Sequence, residues 1–301
     1  MTITAFFIIL VSAFMHAGWN FLSKKTMPSI AFYCLSSTTA AIFWLPWMLL
    51  LSPDLRILPL GFWLFLLVSI GFEFCYFLGL ANAYRRGDIS MVYPLARALP
   101  VLLTALVTML FQLGEPLSAL ALFGMGVLFC GCFIMPLNSI RGTNLKSYRN
   151  SAMLFILLAA LGTTGYTIID SQAMALIRDF PELKSNGFRI PIVFIFLLES
   201  GIAALMAIYI RCSKREQRDF RAIFMKTSTP FISGIFSSSA YVLVLIAMGL
   251  VSNVSYIQAF RQMSLPMGVL AGIFLLHERP GIPRLTGIAL AILGLVLVAL
   301  G

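Results

Sequence analysis

Four charged side chains stand deep inside apolar runs of the sequence: Glu73, Arg97, Glu199 and Arg261. A charge at the centre of a bilayer costs roughly 3 kcal/mol or more unless it is paired or solvated. Two chemistries follow from two acids and two bases at depth. They can pair across helices as structural bridges. Alternatively, the guanidinium forks hold an anionic group of a substrate, and the carboxylates complete the site or carry a proton. A fifth charge, Asp170, lies nearer the end of its run.

Polar neighbours at helical spacing favour the second reading. Ser90, Tyr93, Arg97 and Thr104 fall on one helical face, as do Thr163, Tyr166, Thr167 and Asp170. His16 and Asn20 are one turn apart beside Trp19, Glu73 and Tyr76 are likewise one turn apart, and Ser255, Gln258 and Gln262 accompany Arg261. One polar stripe is ordinary helix–helix hydrogen bonding; several in one bundle read as the lining of a wet cavity. The candidate substrate-binding set is therefore Arg97 and Arg261 for a carboxylate or phosphate, with Tyr93, Tyr76, Trp19, His16 and Asn20 shaping the pocket. Asp170 and Glu73 supply polar or protonatable contacts, and Tyr166, Gln258 and Gln262 complete the set. Two histidines and five cysteines without a C-x-x-C give no metal-ligand pattern. No H-E-x-x-H, G-x-S-x-G or Walker string is present, so neither an enzyme nor a cofactor is expected.

The elements that must position these residues are membrane helices. Of 301 residues, 60% are apolar and 11% charged, and mean hydropathy is +0.97. A soluble domain carries about 25% charged residues, so this chain cannot cover a water-facing surface. A span needs roughly 20 apolar residues, and the sequence offers ten: 2–22, 31–51, 60–84, 88–111, 117–136, 152–174, 190–210, 230–248, 252–276 and 281–300. The net charge of +10 sits in short connections, as topology signals do, so a nucleic-acid partner is not expected.

The spans repeat. A shift of 163 places Tyr93 on Tyr256, Ala96 on Ala259, Glu115 on Glu278, Gly124 on Gly287 and Gly131 on Gly294; a shift of 147 places Gly18-Trp19 on Gly165-Tyr166. The expected organisation is a first five-helix repeat over 1–136, a connection over 137–151 and a second repeat over 152–301. Five is odd, so the second repeat enters the membrane inverted. The expected class is an all-α membrane protein of ten transmembrane helices in two inverted five-helix repeats, with a site at their interface. Gly124, Gly131, Gly287 and Gly294 read as packing seams. Pro94, Pro100 and Pro266 are expected to kink the fourth and ninth spans. Fifteen Lys and Arg residues fall on one side of the membrane, against Arg56, Arg178, Lys184 and Arg189 on the other, which places both termini outside.

Some of these residues also carry a family resemblance. His16-Ala17-Gly18-Trp19-Asn20 followed by Lys24-Lys25, and the run from Gly87-Asp88 through Ser90, Tyr93-Pro94 and Arg97, resemble the first and fourth helices of EamA-like drug/metabolite transporters. The Gly114-Glu115 and His277-Glu278 pairs match the family's recurring turn. The resemblance implies ten helices in two inverted repeats. Helices 1–4 and 6–9 would surround a central cavity, and both termini would be cytoplasmic, opposite to the loop charges. It implies a multi-pass protein of the cell membrane. Such a protein exports or exchanges small polar metabolites, such as amino acids, by alternating access, and a proton is a possible coupling ion. Where small multidrug-resistance relatives carry a proton-binding Glu in the first helix, this chain has His16 and Asn20. The competing expectations are a flippase for lipid-linked substrates and an intramembrane enzyme. Oligomeric state is left open.

Overall fold

The computed structural model describes residues 2–23, 29–51, 55–87, 89–135, 137, 151–178, 189–276 and 281–301. Of the residues singled out above, Lys24, Lys25, Asp88, Lys184, His277, Glu278 and the connection 138–150 lie outside the described residues, as do the side chains of Trp19, Asn20, Ser90 and Tyr93.

Every described element is helical. The first half carries α1 (Ile3–Ser23), α2 (Ile30–Leu51), α3 (Leu60–Arg86), α4 (Ile89–Leu110) and α5 (Ala119–Ile134). The second carries α6 (Ser151–Arg178), α7 (Arg189–Cys212), α8 (Lys214–Lys226) and α9 (Thr229–Met248). It continues with α10 (Val254–Phe260), α11 (Ser264–Leu276) and α12 (Ile282–Leu300). The helices fall where the apolar runs lie, because in a bilayer the backbone must satisfy its own hydrogen bonds. Six of them, α2, α3, α6, α7, α9 and α12, are long and apolar enough to cross a membrane. The apolar stretches Ile3–Gly18, Pro94–Leu110 and Ala119–Ile134 are shorter. Large apolar side chains face outward along the bundle, among them Phe14, Leu50, Leu67, Leu110, Phe123 and Leu154. That exterior suits lipid rather than water, and the chain is a multi-pass membrane protein.

The structure departs from the sequence expectation at two places, the segment after α7 and the fourth run. The segment after α7, expected as a plain connection, forms the polar helix α8. Ser213 starts it by accepting the Glu216 N–H at 3.4 Å. The ninth apolar run is interrupted, as its proline led one to expect: α10 ends in a 3-10 turn, Arg261–Met263, before α11 begins. Pro266 accounts for the break, because proline lacks an N–H and its ring crowds the carbonyl four residues back, here Gln262. In the fourth run, by contrast, Pro94 and Pro100 are carried within one continuous helix. Each removes one backbone bond there, and α4 packs against α5 and α6.

Helix α3 lies along α6, α5 along α12, α1 along α9, and α2 between α7 and α9. Glycines set the closest approaches. A methyl group on Gly162 would stand 2.5 Å from the Tyr76 nitrogen, and one on Gly294 2.5 Å from the Leu128 nitrogen. Gly124, Gly131, Gly287 and Gly294 all meet the backbone of the facing helix, so the α5–α12 pair is a seam of small residues.

Candidate functional site

The α3–α6 seam positions the first part of the site. Close contact at Gly162 brings Tyr166, one turn further along α6, edge-on to Tyr76 of α3, with ring centroids 5.9 Å apart. Tyr166 also meets Tyr241 of α9 edge-on at 5.7 Å. Glu73 stands one turn from Tyr76 on the same face of α3. Helix α1 is fixed against α9 by the Ser12 hydroxyl, which donates to the Ala240 carbonyl at 2.7 Å. This brings His16, one turn on from Ser12, to the same centre.

These helices enclose a cavity of about 60 Å³, room for several water molecules. Glu73 and Tyr76 of α3, His16 of α1, Tyr166 of α6, Glu199 of α7 and Arg261 at the break line it. Hydroxyls complete the wall: Tyr33, Ser36 and Ser37 from α2, and Ser233, Ser237 and Tyr241 from α9. The break in the ninth run is what brings Arg261 here. Its guanidinium carbon lies 5.3 Å from the centroid of the Tyr241 ring, a cation–π distance.

No direct ion pair joins the interior charges to one another among the described residues. Among the described residues, ion pairs join Arg85 to Glu216 and to Asp219, and none involves Glu73, Arg97, Asp170, Glu199 or Arg261. One carboxylate oxygen of Glu73 and Nη1 of Arg261 are buried with no hydrogen-bond partner among the described residues. Asp170 is fully buried and accepts a hydrogen bond from the Tyr241 hydroxyl. It is thereby tied to the cavity wall without lining it.

Arg97, Gln258 and Gln262 occupy a neighbouring place. Arg97 reaches from α4 to the break, where its Nη2 donates to the Arg261 carbonyl at 3.1 Å and to Ser264 Oγ at 3.0 Å. It holds the carbonyl of the residue that projects the other guanidinium into the cavity. Gln262 donates to the Gln258 carbonyl at 2.9 Å, and the side-chain oxygens of both glutamines are buried without a partner among the described residues. Six of the twelve sequence candidates therefore either line the cavity (His16, Glu73, Tyr76, Tyr166, Arg261) or hydrogen-bond its wall (Asp170). Arg97, Gln258 and Gln262 form the adjoining seam. Tyr93, Trp19 and Asn20 have side chains outside the described residues.

Sequence reasoning passed over Tyr241, Ser233 and Ser237, and Tyr33, Ser36 and Ser37. A signal was present: Ser233, Ser237 and Tyr241 recur every fourth residue, which is one face of α9. Among the described residues no three His, Cys, Asp or Glu side chains are grouped to hold a metal ion.

No family model matches this chain, and no curated relative does. Twenty-seven solved chains match it in structure. One of them, described only as the crystal structure of a protein, aligns over 100% of this chain and 98% of its own, with a TM-score of 0.73 and 14% identity. Identity that low speaks for the fold alone: this helical arrangement has already been seen in a crystal.

Proposed function

We propose that the protein is a secondary carrier of the EamA-like kind, moving a small polar metabolite such as an amino acid across a cell membrane. The observation that carries this reading is a polar cavity lined by both signs of charge with no ion pair between them. A structural bridge would have closed Arg261 onto Glu73 or Glu199, since leaving buried charges apart costs several kcal/mol. Kept apart, they match a zwitterion: the guanidinium takes a carboxylate, and the two glutamates take an ammonium group or a competing proton. The small volume favours a compact solute over a lipid-linked one, so the flippase and enzyme readings gain nothing here.

The packing pattern supports ten spans in two inverted repeats. Exchange α1 with α6, α2 with α7, α3 with α9, α4 with the broken helix α10–α11, and α5 with α12. The main pairings then map onto themselves: α3 on α6 becomes α9 on α1, and α4 on α6 becomes the broken helix on α1. Two halves related in this way can rock about a shared cavity, which is alternating access. The polar tyrosine and serine walls would take over hydrogen bonds that the solute gives up on leaving water.

Transport by protein reconstituted in liposomes, with a panel of labelled amino acids and amines, tests the reading. Arg261→Gln and Glu73→Gln should each lower transport about tenfold or more, the value of one charged hydrogen bond. Equal transport by both variants and the native protein would remove the cavity from the mechanism.

A further inference from the structure

Helix α8 sorts its charges by sign. Its two acids turn inward to one arginine: Glu216, 1% exposed, and Asp219 both pair with Arg85 of α3. Glu216 also accepts the Ala31 N–H at the start of α2 at 3.0 Å. Phe220 and Ile223 follow Glu216 on the same face and pack on the core. Its bases turn outward. Lys214, Arg215, Arg218, Arg221 and Lys226 are exposed, and among the described residues none takes part in an ion pair. Lys214, Arg218 and Arg221 line one open recess with Gln217. At the other end Phe224 and Met225 are 54% and 80% exposed.

The position of the helix says what this face meets. Helix α7 has 24 residues, a rise of about 36 Å, against a hydrocarbon core of about 30 Å. Its end therefore reaches the headgroup layer, and α8 starts there after the single residue Ser213. The far end of α8 runs through Thr227 and Ser228 into α9, another apolar helix, so both ends are held at one membrane surface. The grip of Glu216 on Arg85 and Ala31 fixes how the helix is rolled, which keeps the bases outward.

We propose that the outer face of α8 is a binding surface for anionic lipid headgroups, its five bases meeting their phosphates while Phe224 and Met225 enter the edge of the acyl region. Charge complementarity and a large outward apolar pair are what an interfacial helix needs. The proposal rests on the multi-pass reading and is independent of what the cavity carries.

Full-length protein in nanodiscs of phosphatidylcholine alone, or of phosphatidylcholine with phosphatidylglycerol, provides the test, with amide hydrogen exchange as the readout. Anionic discs should slow exchange over residues 214–226 by about tenfold, given that each base near an anionic surface is worth about a fivefold change. The difference should vanish at about 1 M salt, where the Debye length is about 3 Å. It should also vanish in the triple variant Arg215→Gln, Arg218→Gln, Arg221→Gln, with unchanged exchange in α3 and α6 reporting an intact bundle. Equal exchange of α8 in the two kinds of disc, as a soluble acidic partner or a bare solvated face would give, overturns the proposal. So does a lipid effect that survives in the triple variant.

Discussion

Glu216 and Glu73 are carboxylates embedded in one helical bundle, and the fold treats them in opposite ways. Glu216 is fully engaged: one oxygen pairs with Arg85 and the other accepts the Ala31 N–H in the first turn of α2. Glu73 faces a void; among the described residues one of its oxygens lacks any partner and no cation pairs with it. The first arrangement ties α8, α3 and α2 together at the membrane surface. On the proposed carrier reading, the contrast separates charge placed for stability from charge kept for a ligand, because only Glu73 is left with an unsatisfied oxygen.

The comparison can be broken at its strong end first. Glu216→Ala leaves Arg85 with only the more exposed Asp219 and the Ala31 N–H at the start of α2 without its acceptor. Removing one partner of a buried pair costs about 3–5 kcal/mol, so its thermal unfolding in detergent should fall by more than that of any other variant here. A fall no larger than that of an exposed substitution such as Arg215→Gln would mean the clamp is idle.

Arg97→Gln is the intermediate case. It removes charged hydrogen bonds that hold the Arg261 carbonyl and Ser264, worth about 1.5–3 kcal/mol, and loosens the break that aims Arg261 into the cavity. Its loss of stability should be smaller than that of Glu216→Ala, and ligand affinity should fall with it. An unaltered melting temperature would show that the break holds without Arg97.

Much of the fold was legible because lipid imposes one rule. Every span must be apolar and helical, so runs such as 60–84 and 190–210 read directly as α3 and α7. The polar segment after α7 obeys no such rule: α8 is short and charged, and its inward face rests on Arg85, more than a hundred positions earlier in the chain. Proline was a weaker guide. Pro266 interrupts its helix, and at that break Arg97 and Ser264 both donate to the Arg261 carbonyl, whereas Pro94 and Pro100 sit inside α4, which stays whole. At the site, charged residues were visible as exceptions to hydropathy, and Glu73 and Arg261 do line the cavity. The serines and tyrosines of α2 and α9 were not, since single hydroxyls in apolar helices usually bond their own backbone, as Ser36 does to the Phe32 carbonyl at 3.1 Å.

The central claim is that the unpaired interior charges exist for a ligand. It is tested most directly by measuring thermal stability of the purified native protein, Glu73→Gln and Arg261→Gln with and without each of a panel of zwitterionic metabolites. The account predicts that both variants fold, Glu73→Gln melting at or above the native temperature by up to about 1 kcal/mol of stability. A matching solute at a hundred times its dissociation constant should stabilise the native protein by about 2.7 kcal/mol and leave both variants unmoved. Variants that respond to the solute as the native protein does, or that unfold as readily as Glu216→Ala, would contradict it.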